Sequence, residues 1–314
     1  MSAEFSSLPQ SFSKKSTVLW LLRIAGVGLL SACAALSAAQ LATDAKHSAA
    51  LTAAPLYNVS FNSVLALPVK NQGMKLAYGK AVLQFGLLSL PVASADAKPP
   101  LVIFVHGGCW LNAYDIGHSK ELSQALTEAG YAVWSLEYRR VGDEGGGWPG
   151  SFNDIVQGIH YAQAQFEQYG VDVSRIALMG HSAGGQLALL AGKELAGDKK
   201  AAQIQAVVGL AAITDMASYA KGSNSCQSAT AKFIGASPDQ APELYQQASP
   251  SLHKAHPKTM LLQGSADQIV PTTQATDSGM PYRMVEKAGH FDWIHPQSAA
   301  YQQLILTLQE LLPL

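Results

Sequence analysis

The feature that most constrains this chain is Gly180-His181-Ser182-Ala183-Gly184, which stands between an apolar run at 175–179 and a long apolar stretch at 183–195. A short continuous apolar run bounded by turn residues reads as a strand buried on both faces, and the stretch after it is long enough for a helix. A serine flanked by glycines at such a junction sits on a sharp strand-to-helix turn that lifts its hydroxyl above the sheet edge. The glycines let neighbouring backbone pass where a Cβ would collide. The N-terminus of the following helix aims amide groups at negative charge developing beside the hydroxyl. The pentapeptide alone is only moderately specific; its place between strand and helix makes Ser182 the candidate nucleophile.

The rest of the chain repeats the alternation. Strands are expected at 74–78, 81–90, 101–105, 131–136, 204–211, 259–263 and 282–285, and helices at 119–129, 152–169 and 298–312. Strands alternating with helices imply an α/β fold: a mostly parallel central sheet with helices on both faces. The long connection 214–258 is expected to form a cap over the site and to set substrate choice.

Further residues complete a candidate chemistry. His106-Gly107-Gly108-Cys109-Trp110 directly follows the run 101–105. A tetrahedral oxyanion needs fixed N–H donors, and a glycine-rich loop after such a strand can supply them. The expected donors are the N–H groups of Gly108, Cys109 and Ala183, the bland alternative for the loop being a simple glycine turn. A serine nucleophile also needs a histidine base, and the base a carboxylate. Asp267 follows the run 259–263, and His290 follows the run 282–285. The order Ser182, Asp267, His290 is the one this arrangement requires. Asp239, Asp277, Glu286 and Asp292 are rival acids, and Asp292 lies too near His290 in sequence to reach its Nδ1 from an extended chain. His253, His256 and His295 are rival bases. His253 and His256 have helical spacing but no adjacent glutamate, so no metal site is expected. Cys109 lacks a context that would lower its pKa, which argues against a cysteine nucleophile. Gly145-Gly146-Gly147 lacks the Lys-Ser/Thr of a phosphate loop and reads as a flexible loop at the site mouth. Glu137 to Arg140 could hold that loop by a salt bridge, or be solvated charge.

Bulk properties exclude some functions. The 314 residues carry 21 basic and 22 acidic side chains, a net charge of −1, so no basic surface for nucleic acid is expected. Of the three cysteines, only Cys109 and Cys226 could pair within the domain, and two free buried thiols are the simpler expectation. The N-terminal residues are polar with Lys14 and Lys15 together, then apolar from Val18 with one break at Arg23, ending in Leu30-Ser31-Ala32-Cys33. That is the layout of a signal peptide. The last four residues also resemble the lipobox of bacterial lipoproteins, which implies a lipidated Cys33 and firm membrane attachment. An uncleaved anchor running on to Ala42, or a plain secretory signal, are the alternatives. All three place the rest of the chain outside the cytoplasm, in a bacterial envelope. Ala34 and Ala35, with no aspartate after the cysteine, resemble the outer-membrane sorting pattern. The expected organisation is an anchor segment 1–33, a flexible tether 34–55 rich in Ala, Ser and Thr, and one domain 56–314.

His106-Gly107-Gly108-Cys109-Trp110 resembles the H-G-G-x-W motif of the kynurenine formamidase and carboxylesterase branch of α/β-hydrolases. Gly180 to Gly184, Gly289-His290, Glu137 to Arg140 and Gly145 to Pro149 fit the same branch, so the resemblance covers about 78–312. It implies an α/β-hydrolase fold and cofactor-free hydrolysis of small esters or of a formyl amide. Relatives of hormone-sensitive lipase carry a third glycine where this chain has Cys109, a change that keeps the backbone donor and alters the pocket wall. Cytoplasmic formamidases lack an export signal, which favours esters over an N-formylkynurenine-type amide. An exopeptidase would bring an accessory domain that is not evident, and a non-catalytic hydrolase-like binding protein would not need an intact triad. Trp110 and Trp148 are candidate substrate-pocket walls, with burial as core aromatics the alternative. The partner expected is a small-molecule substrate, besides the membrane at the N-terminus.

Overall fold

Strand β3 (Pro100–Val105) is buried at all six positions, as its uninterrupted apolar sequence requires. It lies near the middle of an eight-stranded sheet of order β1-β2-β4-β3-β5-β6-β7-β8. The other strands are β1 (Met74–Ala77), β2 (Phe85–Ser89), β4 (Ala132–Leu136), β5 (Asp172–His181), β6 (Ile204–Leu210), β7 (Thr259–Gly264) and β8 (Tyr282–Val285). β2 runs antiparallel to both β1 and β4, and the remaining pairs are parallel. The computed structural model describes residues 54–92, 98–197 and 203–314, and Pro55–Leu314 is a unit of its own. The expected leader, Cys33 and nearly all of the tether lie outside the described residues.

Two apolar clusters cover the two sheet faces. One gathers Ile103, Trp134, Leu178, Leu187 and Phe233; the other gathers Val102, Phe104, Leu126, Met179 and Leu304. Successive residues of β3 thus go to opposite clusters, which is the period of two that a doubly covered strand shows. The helices are α1 (Phe61–Leu65), α2 (Lys120–Glu128), α3 (Gly150–Gln165), α4 (Ala183–Leu195), α5 (Met216–Tyr219), α6 (Ser225–Ile234), α7 (Pro242–Gln247), α8 (Thr273–Thr276) and α9 (Ala299–Leu311).

Several expected boundaries move, each for a local reason. The expected strand 81–90 begins only at Phe85, because Gln84 folds the preceding residues into a turn: its side-chain oxygen accepts from Ala81 N, and its carbonyl accepts from Tyr78 N. The expected helix 152–169 is α3 plus a 3-10 turn, Phe166–Tyr169, that ends at Gly170 with φ +78°. A similar 3-10 turn, Ile116–Ser119, precedes α2 and is capped by Asp115. The connection 214–258, expected as a cap, holds α5, α6 and α7. Helix α1 was not expected.

The register decides where the chemistry falls. β3 and β5 are adjacent, with Val105 opposite Gly180, so the loops after them emerge side by side. β7 and β8 are also adjacent, with Gly264 opposite Val285, so the loops carrying Asp267 and His290 emerge together. All four loops leave the carboxyl ends of parallel strands, where open α/β sheets place their sites.

Candidate active site

Ser182 occupies the turn between β5 and α4 with φ 56° and ψ −121°. That backbone is sterically costly for a non-glycine residue, on the order of 1–3 kcal/mol, and persists only where its surroundings over-determine it. Ser182 N donates to Leu210 O at 2.8 Å. Gly180 and Gly184 leave no room for alternatives: a Cβ on Gly180 would lie 2.1 Å from Gly184 O, and one on Gly184 2.3 Å from the carbonyls of both Val105 and His106. The glycines therefore let α4 rest directly on the end of β3.

The candidate base and its candidate orienter meet at the ends of β7 and β8. His290 Nδ1 donates to Asp267 Oδ2 at 2.9 Å. The other carboxylate oxygen accepts from the N–H groups of Ile269 and Val270 at 2.8 and 2.9 Å, and Gln263 Nε2 donates to Oδ2. Burial opposes the charge of Asp267, but the His290 ring and these amides outweigh it and hold the carboxyl below its usual range. The carboxylate fixes the imidazole with Nε2 free to face a nucleophile. Ser182 and His290 line one cavity of about 170 Å³ together with Gly108 and Cys109 of the loop after β3. The N–H groups of Gly108, Cys109 and Ala183 donate to no acceptor among the described residues, which leaves them available for an oxyanion. A Cβ on Gly107 would come within 3.1 Å of Ser182 Cβ, so this loop passes against the nucleophile. Gly108, Cys109 and Trp110 all have positive φ, at 110°, 54° and 58°.

Rival residues fall elsewhere. Asp292 is fully buried, but it accepts from the N–H groups of Asn58 and Val59 at 2.8 and 2.7 Å rather than from His290. His253 Nε2 donates to the carbonyls of Gln246 and Gln247 in α7, and among the described residues no cluster of His, Cys, Asp or Glu could hold a metal. Trp110 is no pocket wall: it is fully buried, donates through Nε1 to Gln186 Oε1 at 3.0 Å and stacks on Phe233 at 4.8 Å. Trp148 packs on Phe152 and Phe233 and does not line the cavity either. Cys109 and Cys226 are not free thiols. They are joined as a disulfide with Cα atoms 4.9 Å apart, because the first turn of α6 rests over the oxyanion loop. The glycine loop 145–147 is tied down, with Gly146 N on Asp143 O and Trp148 N on Phe233 O.

Three contributors take places at the site that the sequence reading did not give them. His181, the second residue of the pentapeptide, is buried, and its Nε2 donates to the backbone carbonyl of His290 at 2.9 Å. It thus braces the base from the nucleophile turn; burial, reinforced by the nearby His290 ring, drives its pKa well below the usual histidine range and keeps it neutral. Glu137 lies beneath the oxyanion loop, paired with His106 at 3.0 Å and Arg140 at 3.1 Å, and also accepting from Ile116 N. Burial raises its pKa, but His106, Arg140 and the amide more than reverse that and lower it overall. Of the two readings of 137–140, buried pairing is therefore the one realised, and Arg139 adds a pair with the buried Asp154 at 2.6 Å. Phe61 of α1 closes the cavity from the far N-terminal side, edge-on to Tyr114 and His118. The helix that carries it, Phe61–Leu65, is only five residues long, too short for its apolar positions to give a periodic signal.

The family model described as BD-FAE matches residues 88–278, more than half of the chain. The chain belongs to the BD-FAE family. The match runs through Ser182 and Asp267 and stops short of His290. Among the curated relatives of this BD-FAE member, the esterase LipC of Mycobacterium tuberculosis is 28% identical over 191 residues, which cover 57% of this chain and 47% of LipC. The isoprenylcysteine alpha-carbonyl methylesterase ICME of Arabidopsis thaliana is 35% identical over 39% of this chain and 30% of its own length. The chain thus spans about half the length of LipC and less than a third of the plant enzyme. Among solved structures, esterase B from Lactobacillus Rhamnosis (HN001) superposes with a TM-score of 0.66 at 18% identity, covering 89% of this chain and 93% of that one. A truncated carbohydrate esterase from gut microbiota gives 0.65 at 20% identity, over 77% and 98%. At those identities the likeness establishes the fold, an α/β-hydrolase, and agrees with the topology described above.

Proposed function

We propose that this BD-FAE member is a serine hydrolase that cleaves small carboxylic esters through an acyl-enzyme on Ser182. The observation that carries this reading is the convergence in one cavity of a strained serine, an Asp267-oriented His290 and unclaimed N–H donors. In the first step His290 takes the proton of Ser182 as Oγ attacks the substrate carbonyl. The N–H groups of Gly108, Cys109 and Ala183 receive the oxyanion. His290 then hands the proton to the leaving alcohol, and a water activated by His290 hydrolyses the acyl-enzyme. A cavity of about 170 Å³ suits a short acyl group. The names of the relatives, esterases and methylesterases, favour esters over the formyl-amide and non-catalytic alternatives. The test is hydrolysis of a short-chain p-nitrophenyl ester by the wild type and by Ser182→Ala, with N-formylkynurenine in parallel. Ester cleavage abolished in the variant is the expected result. Activity that survives Ser182→Ala would remove the serine from the mechanism, and cleavage of the formyl amide alone would replace the substrate class.

The reading extends to the N-terminus. Lys14, Lys15, the apolar run from Val18 and Leu30-Ser31-Ala32-Cys33 support export and lipidation of Cys33 in a bacterial envelope. Labelled fatty acid should enter the wild type and not Cys33→Ser. Equal labelling of both would leave a plain or uncleaved leader.

A further inference from the structure

We propose that the Cys109–Cys226 disulfide positions the oxyanion hole and makes turnover conditional on its oxidation. This rests on the serine-nucleophile part of the proposed function and not on its ester substrates, because Cys109 is one of the oxyanion donors beside Ser182. The loop that supplies this N–H runs through two successive non-glycine residues at positive φ, Cys109 and Trp110. Such backbone holds only while its neighbours force it. Trp110 is held on one side by its stack on Phe233 and its bond to Gln186. Cys109 has one covalent restraint, the bond to Cys226 in the first turn of α6. That turn is itself fastened to the acid loop. Its N-cap Asn224 donates through Nδ2 to Ile269 O at 3.0 Å, and Ile269 N donates to Asp267 Oδ1. The disulfide therefore closes a ring of restraint that joins the oxyanion loop, the cap and the catalytic acid around one cavity. Both cysteines line that cavity beside Ser182, so a small reductant that enters it reaches the bond.

The exchange balances with an external dithiol. One thiolate of the dithiol attacks a sulfur of the Cys109–Cys226 bond, forming a mixed disulfide, and the other cysteine sulfur leaves as a thiolate. The second thiol then resolves the mixed disulfide, so that two electrons and two protons pass to the protein and the dithiol closes to a cyclic disulfide. Freed of its tether, the Cys109 peptide relaxes away from the oxyanion. Loss of one such donor costs about 10²–10³ in kcat, and a displaced donor should cost roughly tenfold or more.

The full-length protein would be treated with dithiothreitol, and again with its oxidised form. We expect a linked Cys109–Cys226 peptide in the native protein, a fall in kcat of about tenfold or more on reduction with KM little changed, and recovery on reoxidation. The rate at which a fluorophosphonate labels Ser182 should fall in parallel, while the final extent of labelling stays complete. Cys226→Ala should match the reduced wild type and ignore the dithiol. Wild type whose Ser182 is already phosphonylated should reduce more slowly, since the cavity is filled. Free Cys109 and Cys226 in the native protein, or full kcat and labelling rate after reduction, would overturn the proposal. So would a drop in activity equal to the fraction of protein unfolded, measured by circular dichroism on the same samples. A dithiol-sensitive labelling rate without ester hydrolysis would overturn the esterase reading and leave this one standing.

Discussion

His118 and His181 flank the cavity as buried imidazoles, and both have pKa values lowered chiefly by burial, His118 to about 3. A histidine unfolds to a value near 6.5, so below that pH the unfolded chain binds a proton that the folded chain refuses. Each such group then costs about 1.4 kcal/mol of stability per pH unit as pH falls from roughly 6.5 toward its folded value. Asp267 and Glu137 act in the same direction lower down. Their folded pKa values are depressed, so the stability they contribute is present above the unfolded value and lost as pH drops through the folded one. The melting temperature of the wild type should therefore decline steadily between pH 6.5 and 4. His118→Phe, which keeps an aromatic ring beside Phe61 and His106, should flatten that decline. An unchanged slope in thermal melts of the variant would mean that His118 does not stay neutral in the folded chain.

The elements of the cap show how local sequence rules support a tertiary contact. Helix α6 starts with a full capping box, in which Asn224 accepts from Gln227 N and the Gln227 side chain accepts from Asn224 N. The same Asn224 reaches out to Ile269 O, so one side chain both begins the helix and fastens it to the acid loop. Asn224→Ala should cost about 1–2 kcal/mol, the upper part of the range for a lost N-cap. Its urea midpoint should fall accordingly, and KM should rise more than kcat falls, because the cap wall shifts while Ser182, Asp267 and His290 keep their places. A midpoint equal to that of the wild type would show that Gln227 alone begins the helix. At this scale the sequence was most readable where the pattern was local: α4 and β8 fall at their expected bounds, whereas β2 shortens because Gln84 folds the residues before it into a turn, and α3 stops at Gln165 and gives way to a 3-10 turn that ends at Gly170.

Across the whole molecule, long-range ties bring distant segments to the cavity. Asp292 pins residues 58 and 59 by both carboxylate oxygens, and Leu56 pairs with the segment that opens α9, its N–H donating to Gln297 O and its carbonyl accepting from Ala299 N. That is how Phe61 comes to wall a site whose nucleophile lies more than a hundred residues later. The sequence by itself determined the alternation of strand and helix, hence the parallel sheet, and the placing of Ser182, Asp267 and His290 on loops at strand ends. Those properties follow from apolar period, glycine positions and chain order, which are local and survive without neighbours. Only the tertiary structure decided that Cys109 and Cys226 meet, that Trp110 belongs to the core, that His181 braces the base and that Glu137 is buried with His106 and Arg140. Each of these depends on which surfaces of separate elements face one another. That is set by sheet register and packing, for which no single stretch of sequence carries a signal.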